Sequence, residues 1–234
     1  MYGISVVMNG MDSVAVLSQL AIDWIWIDAE HEPLSMRDVR EVMAVIPEDT
    51  AGLVRIPGTN PKEVEQVFDA GADGVIVPKL HTIEQVQSFV DSAYYPPEGD
   101  RGVARSPVSD FDRNFSKSYM QQTNERAFVV IEIETTLATQ IEEVAQIDGV
   151  DCLFIEPSDL SAELGNPLNP KTIEYHDVAM QILRACKRHN VAPGYLVVDN
   201  DIRPFVEDGW QVLSIGTDAE LLTSGFQTRL NRTF

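Results

Sequence analysis

The chain has 234 residues, enough for one sizeable domain with a continuous core. Its net charge of -20 comes from 37 acidic and 17 basic residues, and such a surface repels nucleic acid and anionic membranes. No apolar run approaches the roughly 20 residues of a membrane span, and no charged segment followed by an apolar one marks a secretion signal. Cys152 and Cys186 form neither a metal-knuckle spacing nor a disulfide framework, so buried thiols in a reducing, cytoplasmic setting are expected.

In chain order, residues 4–8 read as a first strand, and residues 12–20 as a short helix with Asp12 as its cap. D-W-I-W-I-D at 23–28 is a second strand, followed by a loop, 29–33, dense in ionisable groups. Ser35 opens a helix to about residue 45, with Asp38 completing a capping box. Residues 52–56 form strand three, and Asn60-Pro61 starts the next helix in the favoured cap-then-proline order. Strand four is 75–77, and Thr82 caps a helix to about residue 92. Residues 94–124 show no clear period and carry Arg101, Arg105, Arg113 and Lys117; a long loop of this kind usually covers a site or an interface. Strand five is 127–133, followed by a helix through Ile141, Val144 and Ala145. Strand six is 151–155, ended by Pro157, with 162–171 as loop and 175–189 as an amphipathic helix. Strand seven is 192–197, a short helix spans 202–208, strand eight is 212–215, and the last helix is 219–230.

Eight strand-helix units running one way predict an α/β chain with a parallel sheet, and the number suits a closed (β/α)8 barrel better than an open sheet. Without a linker or composition shift, residues 1–234 read as a single barrel domain. In such a barrel the polar residues at the C-terminal strand ends converge: Asp28 with Glu30 and His31, Arg55, Lys79 with His81, Glu132 with Glu134, and Asp159. Glu132 and Glu134 share a face because the strand period is two. Glu134 and Asp159, on neighbouring strand ends, suit a hard divalent cation. A metal, an arginine and a histidine suit the polarising of a carbonyl and the holding of an enolate. Lys79 is the only strand-end candidate for amine chemistry, so the metal-assisted route is favoured. No glycine-rich nucleotide motif is present.

The sequence resembles the metal-dependent HpcH/HpaI-type pyruvate aldolases over nearly its whole length. The motifs are I-D-A-E-H at 27–31, V-R-I-P at 54–57, G-A-D-G-V-I-V-P at 71–78, Y-P-P-E-G-D-R-G at 95–102, E-I-E-T at 132–135 and F-I-E-P-S-D-L-S at 154–161. The resemblance implies a TIM barrel of the phosphoenolpyruvate/pyruvate type and cleavage of a 4-hydroxy-2-oxo acid to pyruvate and an aldehyde. It implies Glu134 and Asp159 as ligands of Mg, Mn or Co, and Arg55 as stabiliser of the enolate oxygen. His31, oriented by Asp28, becomes the acid/base, Glu132 lies beside the substrate, and the N–H groups around Ser158 and Asp159 receive its carboxylate. It also implies a homo-oligomer, a hexamer built as a trimer of dimers that exchange C-terminal helices. The chain departs from the family pattern at Glu156 (usually glycine), Glu132 (usually glutamine), Lys79, His81 and Tyr94. Two alternatives stay open: a related lyase or synthase of the citrate- or acyl-CoA-lyase type, and a diverged barrel that binds an organic acid.

Overall fold

The computed structural model of the chain describes residues 1–8, 10–58, 60–103, 116–198 and 201–231. Its parallel strands are β1 (Tyr2–Val6), β2 (Trp24–Asp28), β3 (Ala51–Arg55), β4 (Gly74–Val77), β5 (Phe128–Glu132), β6 (Cys152–Ile155), β7 (Ala192–Leu196) and β8 (Val212–Thr217). They pair in chain order, and β8 closes on β1 to complete the expected (β/α)8 barrel. The helices are α1 (Met11–Leu17), α2 (Met36–Met43), α3 (Pro61–Ala70), α4 (Ile83–Ala93), α5 (Lys117–Arg126), α6 (Ile141–Val144), α7 (Pro157–Glu163), α8 (Ile173–His189), α9 (Arg203–Asp208) and α10 (Asp218–Asn231). No helix among the described residues is long and apolar enough to cross a membrane.

The strands read as unbroken apolar runs because both their faces are buried. Outward residues such as Ile25, Ile27, Val54, Val75, Ile131 and Ile155 join the large cluster with the helices. The alternate residues form a separate cluster inside the barrel: Trp24, Trp26, Leu53, Ile76, Val130, Cys152, Phe154 and Val212. Trp24 and Trp26 meet Phe154 edge to face, at centroid distances of 6.2 and 5.5 Å. Small residues make room for these rings. A Cβ on Gly3 would fall 2.2 Å from the Trp24 ring, and one on Gly194 would fall 2.4 Å from Phe154.

At the opposite rim from the strand C-terminal ends, an aspartate precedes each of β2, β4 and β6. Asp23, Asp73 and Asp151 accept hydrogen bonds from the N–H groups of Tyr2, Gly52 and Val129 (2.6, 2.9 and 2.8 Å). Each therefore clips an even-numbered strand to the odd-numbered strand before it, which holds the register.

The caps form as expected at Ser35 with Asp38, at Asn60-Pro61 and at Thr82, where Gln85 completes a box. Several boundaries differ. β1 covers Tyr2–Val6 rather than 4–8, because the Val7 N–H turns to the Asp218 carboxylate (3.0 Å) and leaves the ladder. Helix α1 stops at Leu17, where the chain tightens into turns through residue 20. Helix α5 occupies part of the stretch read as aperiodic. None of its residues is buried, so no apolar period marks it; Ser116 caps it through the Tyr119 N–H. Its Asn124 side chain brackets Tyr95, accepting from that residue's N–H and donating to its C=O (2.8 and 2.9 Å). Pro157 does not merely stop β6: it is the first residue of α7, where its missing N–H costs nothing. Arg101 is buried, stacked on Tyr95 and Phe68 and paired with Asp69 (2.8 Å). Arg105 and Arg113 lie outside the described residues.

On the Gly3 side the Trp24 ring, held in turn by Phe154, already fills the space a side chain would need. Replacing Gly3 by alanine should lower unfolding free energy by about 1–3 kcal/mol, the usual range for an overpacked core. A shift of the urea midpoint to lower concentration with an unchanged slope would register it.

Candidate active site

The inward face of the barrel changes character towards the C-terminal ends. Above Trp26 and Phe154, the next inward positions are Asp28 on β2, Arg55 on β3, Glu132 on β5 and Glu156 after β6. A cavity of about 320 Å³ opens here, lined in part by Ser5, Trp26, Asp28, Arg55, Glu156 and Asp159. A second cavity, of about 380 Å³, lies at the other end of the barrel around Trp24, Leu53 and Phe128. It holds none of the strand-end residues singled out above.

Arg55 is the centre of the mouth. The register places Asp28 directly beside it, and its Nη2 and Nε donate to the Asp28 carboxylate at 2.6 and 3.1 Å. Nε also lies 3.2 Å from Glu30, and Nη1 donates to Glu132 at 3.3 Å. The guanidinium carbon stands 4.5 Å over the Trp26 ring. Burial works against charge on Asp28, but the Arg55 hydrogen bonds and charge outweigh it and hold this carboxyl below its usual range. Burial likewise opposes charge on Arg55, and the carboxylates of Glu132, Asp28 and Glu30 more than offset it. Glu132 is fully buried, and desolvation pushes its carboxyl well up against the pull of Arg55.

Glu134 and Asp159 face the same space. The Lys79 backbone N–H donates to Glu134 Oε1. Burial, with the charge of Asp159 added, pushes the Glu134 carboxyl up to about 7, although the Lys79 N–H works against this. The Asp159 carboxylate takes no hydrogen bond from the described residues. Two carboxylates that repel each other and keep oxygen atoms unengaged fit a hard divalent ion, with open positions left for a ligand. Among the described residues, no group of three His, Cys, Asp or Glu is arranged to hold a metal. Glu134 and Asp159 therefore make a two-carboxylate pair.

Two expectations change in detail. Asp28 does not meet the His31 ring. Its Oδ1 accepts from the backbone N–H groups of Glu30 and His31 (3.0 and 3.3 Å), because Arg55 takes up its charge. The His31 ring is more than half exposed at the rim, and its Nε2 lies 3.7 Å from Glu30. The N–H groups at the start of α7 are also engaged. Glu156 is the N-cap of α7, and its carboxylate accepts from the Asp159 N–H at 2.7 Å. Ser158 lines the cavity beside it. His81 stays outside, its backbone N–H serving the Gln85 side chain at the start of α4.

Glu30 is the residue that a strand-by-strand reading underrates. Its side chain is 3% exposed and bridges Arg55 Nε to Lys79 Nζ. The signal was present in its spacing: Glu30 falls two residues after Asp28, on the same face of the extended chain.

The sequence matches the model of the HpcH/HpaI aldolase/citrate lyase family over residues 5–224. The chain belongs to this family. It is 33% identical over 214 residues to the 4-hydroxy-2-oxovalerate aldolase of Rhodococcus jostii, a match that covers 90% of this chain and 82% of that one. It is also 33% identical over 220 residues to the 5-keto-4-deoxy-D-glucarate aldolase of Klebsiella pneumoniae, covering 92% and 85%. Among solved structures, an HpcH/HpaI aldolase/citrate lyase family protein from Burkholderia cenocepacia superposes with a TM-score of 0.93 at 27% identity, covering 100% of this chain and 94% of that one. As a member of the family, the protein is an enzyme of the aldolase/lyase class.

The Arg55 frame carries a stability prediction. Replacing Arg55 by methionine leaves Asp28, Glu30 and Glu132 buried without their shared cation, which should cost about 3–5 kcal/mol. Denaturant titration at neutral pH measures this directly.

Proposed function

We propose that this protein is a divalent-metal-dependent aldolase that cleaves a 4-hydroxy-2-oxo acid into pyruvate and an aldehyde. The observation that carries the reading is the placement of Arg55, a buried cation framed by carboxylates, beside the Glu134–Asp159 pair in one barrel mouth. The relatives named for 4-hydroxy-2-oxovalerate and 5-keto-4-deoxy-D-glucarate support the substrate class.

Glu134 and Asp159 would hold the ion, Mg, Mn or Co. When bound, such an ion draws electron density from a 2-oxo carbonyl and neutralises charge that builds on its oxygen. The rest is work for this chain's own side chains. Arg55, fixed by Asp28, Glu30 and Glu132, presents a positive charge that does not have to reorganise as the enolate oxygen develops. His31 at the rim takes the proton of the 4-hydroxyl as the C3–C4 bond breaks, and the bonding pair passes into the pyruvate enolate. Protonation of the enolate carbon then gives pyruvate. Asp28 serves this step indirectly, by holding the backbone turn that carries His31. A substrate carboxylate reaches the N–H groups of Ser158 and Asp159 when the Glu156 side chain turns aside from them.

The reading extends to assembly and compartment. Helix α10 buries only Asp218, while Leu221, Leu222, Phe226 and Leu230 are exposed at 43, 67, 68 and 45%. A helix whose apolar residues cover nothing in their own protomer supports a homo-oligomer, of the trimer-of-dimers kind with exchanged C-terminal helices. The buried free thiols of Cys152 and Cys186 support a reducing, cytoplasmic location.

With Mg or Mn present, the protein should release pyruvate from at least one of several 4-hydroxy-2-oxo acids, read by coupling to lactate dehydrogenase. Arg55→Lys should lower kcat/KM by about 100-fold or more, since the guanidinium fork is lost. No pyruvate above background from any of these acids would sink the assignment. Light scattering should report a mass several times that of one 26.0 kDa chain, and Phe226→Asp should shift it towards the monomer.

A further inference from the structure

Lys79 stands where β4 gives way to its loop, directly after Pro78. Its backbone is left-handed, with φ of 57°, a region that costs a side-chain-bearing residue and that glycine usually fills. The conformation has a visible use. It delivers the Lys79 N–H to Glu134 while the side chain of the same residue reaches Glu30. One residue thus holds an acid that follows β2 and an acid that follows β5.

The charges explain why the side chain is a lysine. The Glu30 carboxylate is buried, and its other cation, Arg55, is already shared with Asp28 and Glu132. The Lys79 ammonium supplies the missing positive charge. It is half exposed, and the charges of Glu134 and Asp159 also act on it. A cation resident at that spot repels a second cation held by the same two carboxylates.

We propose that the Lys79 ammonium, anchored on Glu30 while the N–H of the same residue holds Glu134, weakens the grip of the Glu134–Asp159 pair on a divalent ion. The inference rests on the metal reading above and goes beyond it, because it assigns a residue that limits affinity for the ion.

The sign of the effect makes it testable. Mn²⁺ binding would be measured by calorimetry on the wild type, Lys79→Met, Lys79→Arg and Glu134→Gln. Lys79→Met should bind Mn²⁺ about tenfold tighter or more, the size expected when a unit charge is removed close to a divalent ion. Lys79→Arg should stay near the wild type, and Glu134→Gln should lose binding. A substitution that merely damaged the site would weaken binding instead. Should Lys79→Met fail to fold, Lys79→Gly suits the left-handed backbone and should show the same gain. A wild type that binds while the uncharged variants bind equally or more weakly would overturn the inference alone. No Mn²⁺ binding by the wild type or any variant would bring down the metal reading together with it.

Discussion

The guanidinium of Arg55 is shared among Asp28, Glu30 and Glu132, and the rest of the mouth is arranged around that sharing. A buried carboxylate stays charged at a tolerable cost only with a cation or hydrogen-bond donors within reach, and its desolvation often exceeds what pairing returns. Here the geometry answers the difficulty. Asp28 takes two guanidinium nitrogens, Glu30 approaches Nε and Glu132 approaches Nη1. Trp26 supplies a face beneath. Strands β2, β3 and β5 are tied by one side chain, and the residue that ties them is the one to which the proposed mechanism gives the developing negative charge.

A surplus of acid characterises the chain as a whole and its mouth in particular. Asp28, Glu30, Glu132, Glu134, Glu156 and Asp159 face Arg55 and Lys79 there. An anionic substrate would meet a hostile field unless some of that charge is neutralised. Burial pushes the carboxyls of Glu132, Glu134 and Glu156 upward, which is how a protein lowers the number of charges it must keep in a confined space. Glu156 adds its own solution by placing its carboxylate on the Asp159 N–H, at the positive end of α7.

Much of the barrel was legible because several units carry their own punctuation. Ser35 with Asp38, Asn60 with Pro61, and Thr82 with Gln85 mark helix starts by chemistry that acts over three or four residues. Helix α5 was not legible, since its residues K-S-Y-M-Q-Q-T-N-E-R bury nothing and so show no apolar period. Pro157 misled for a different reason: proline after an apolar run reads as a stop, and only the tertiary path shows that a helix begins on it. The acids at the strand ends could be listed from period and position. Which acid meets which cation could not. The Asp28–Arg55 pairing needs the β2–β3 register, and the Glu30–Lys79 bridge needs the left-handed turn at Lys79. Both depend on contacts between residues 27 and 49 positions apart in the chain.

The rings that fill the barrel carry one more implication. Gly3, Trp24, Phe154, Trp26 and Arg55 form a continuous column of contacts, edge to face at Phe154 and cation to ring at Trp26. A change of bulk at Trp26 would press directly on the guanidinium above it. Divergence would therefore leave these contacts alone and fall on side chains beyond the strand ends that, unlike Glu30, do not hold the cation.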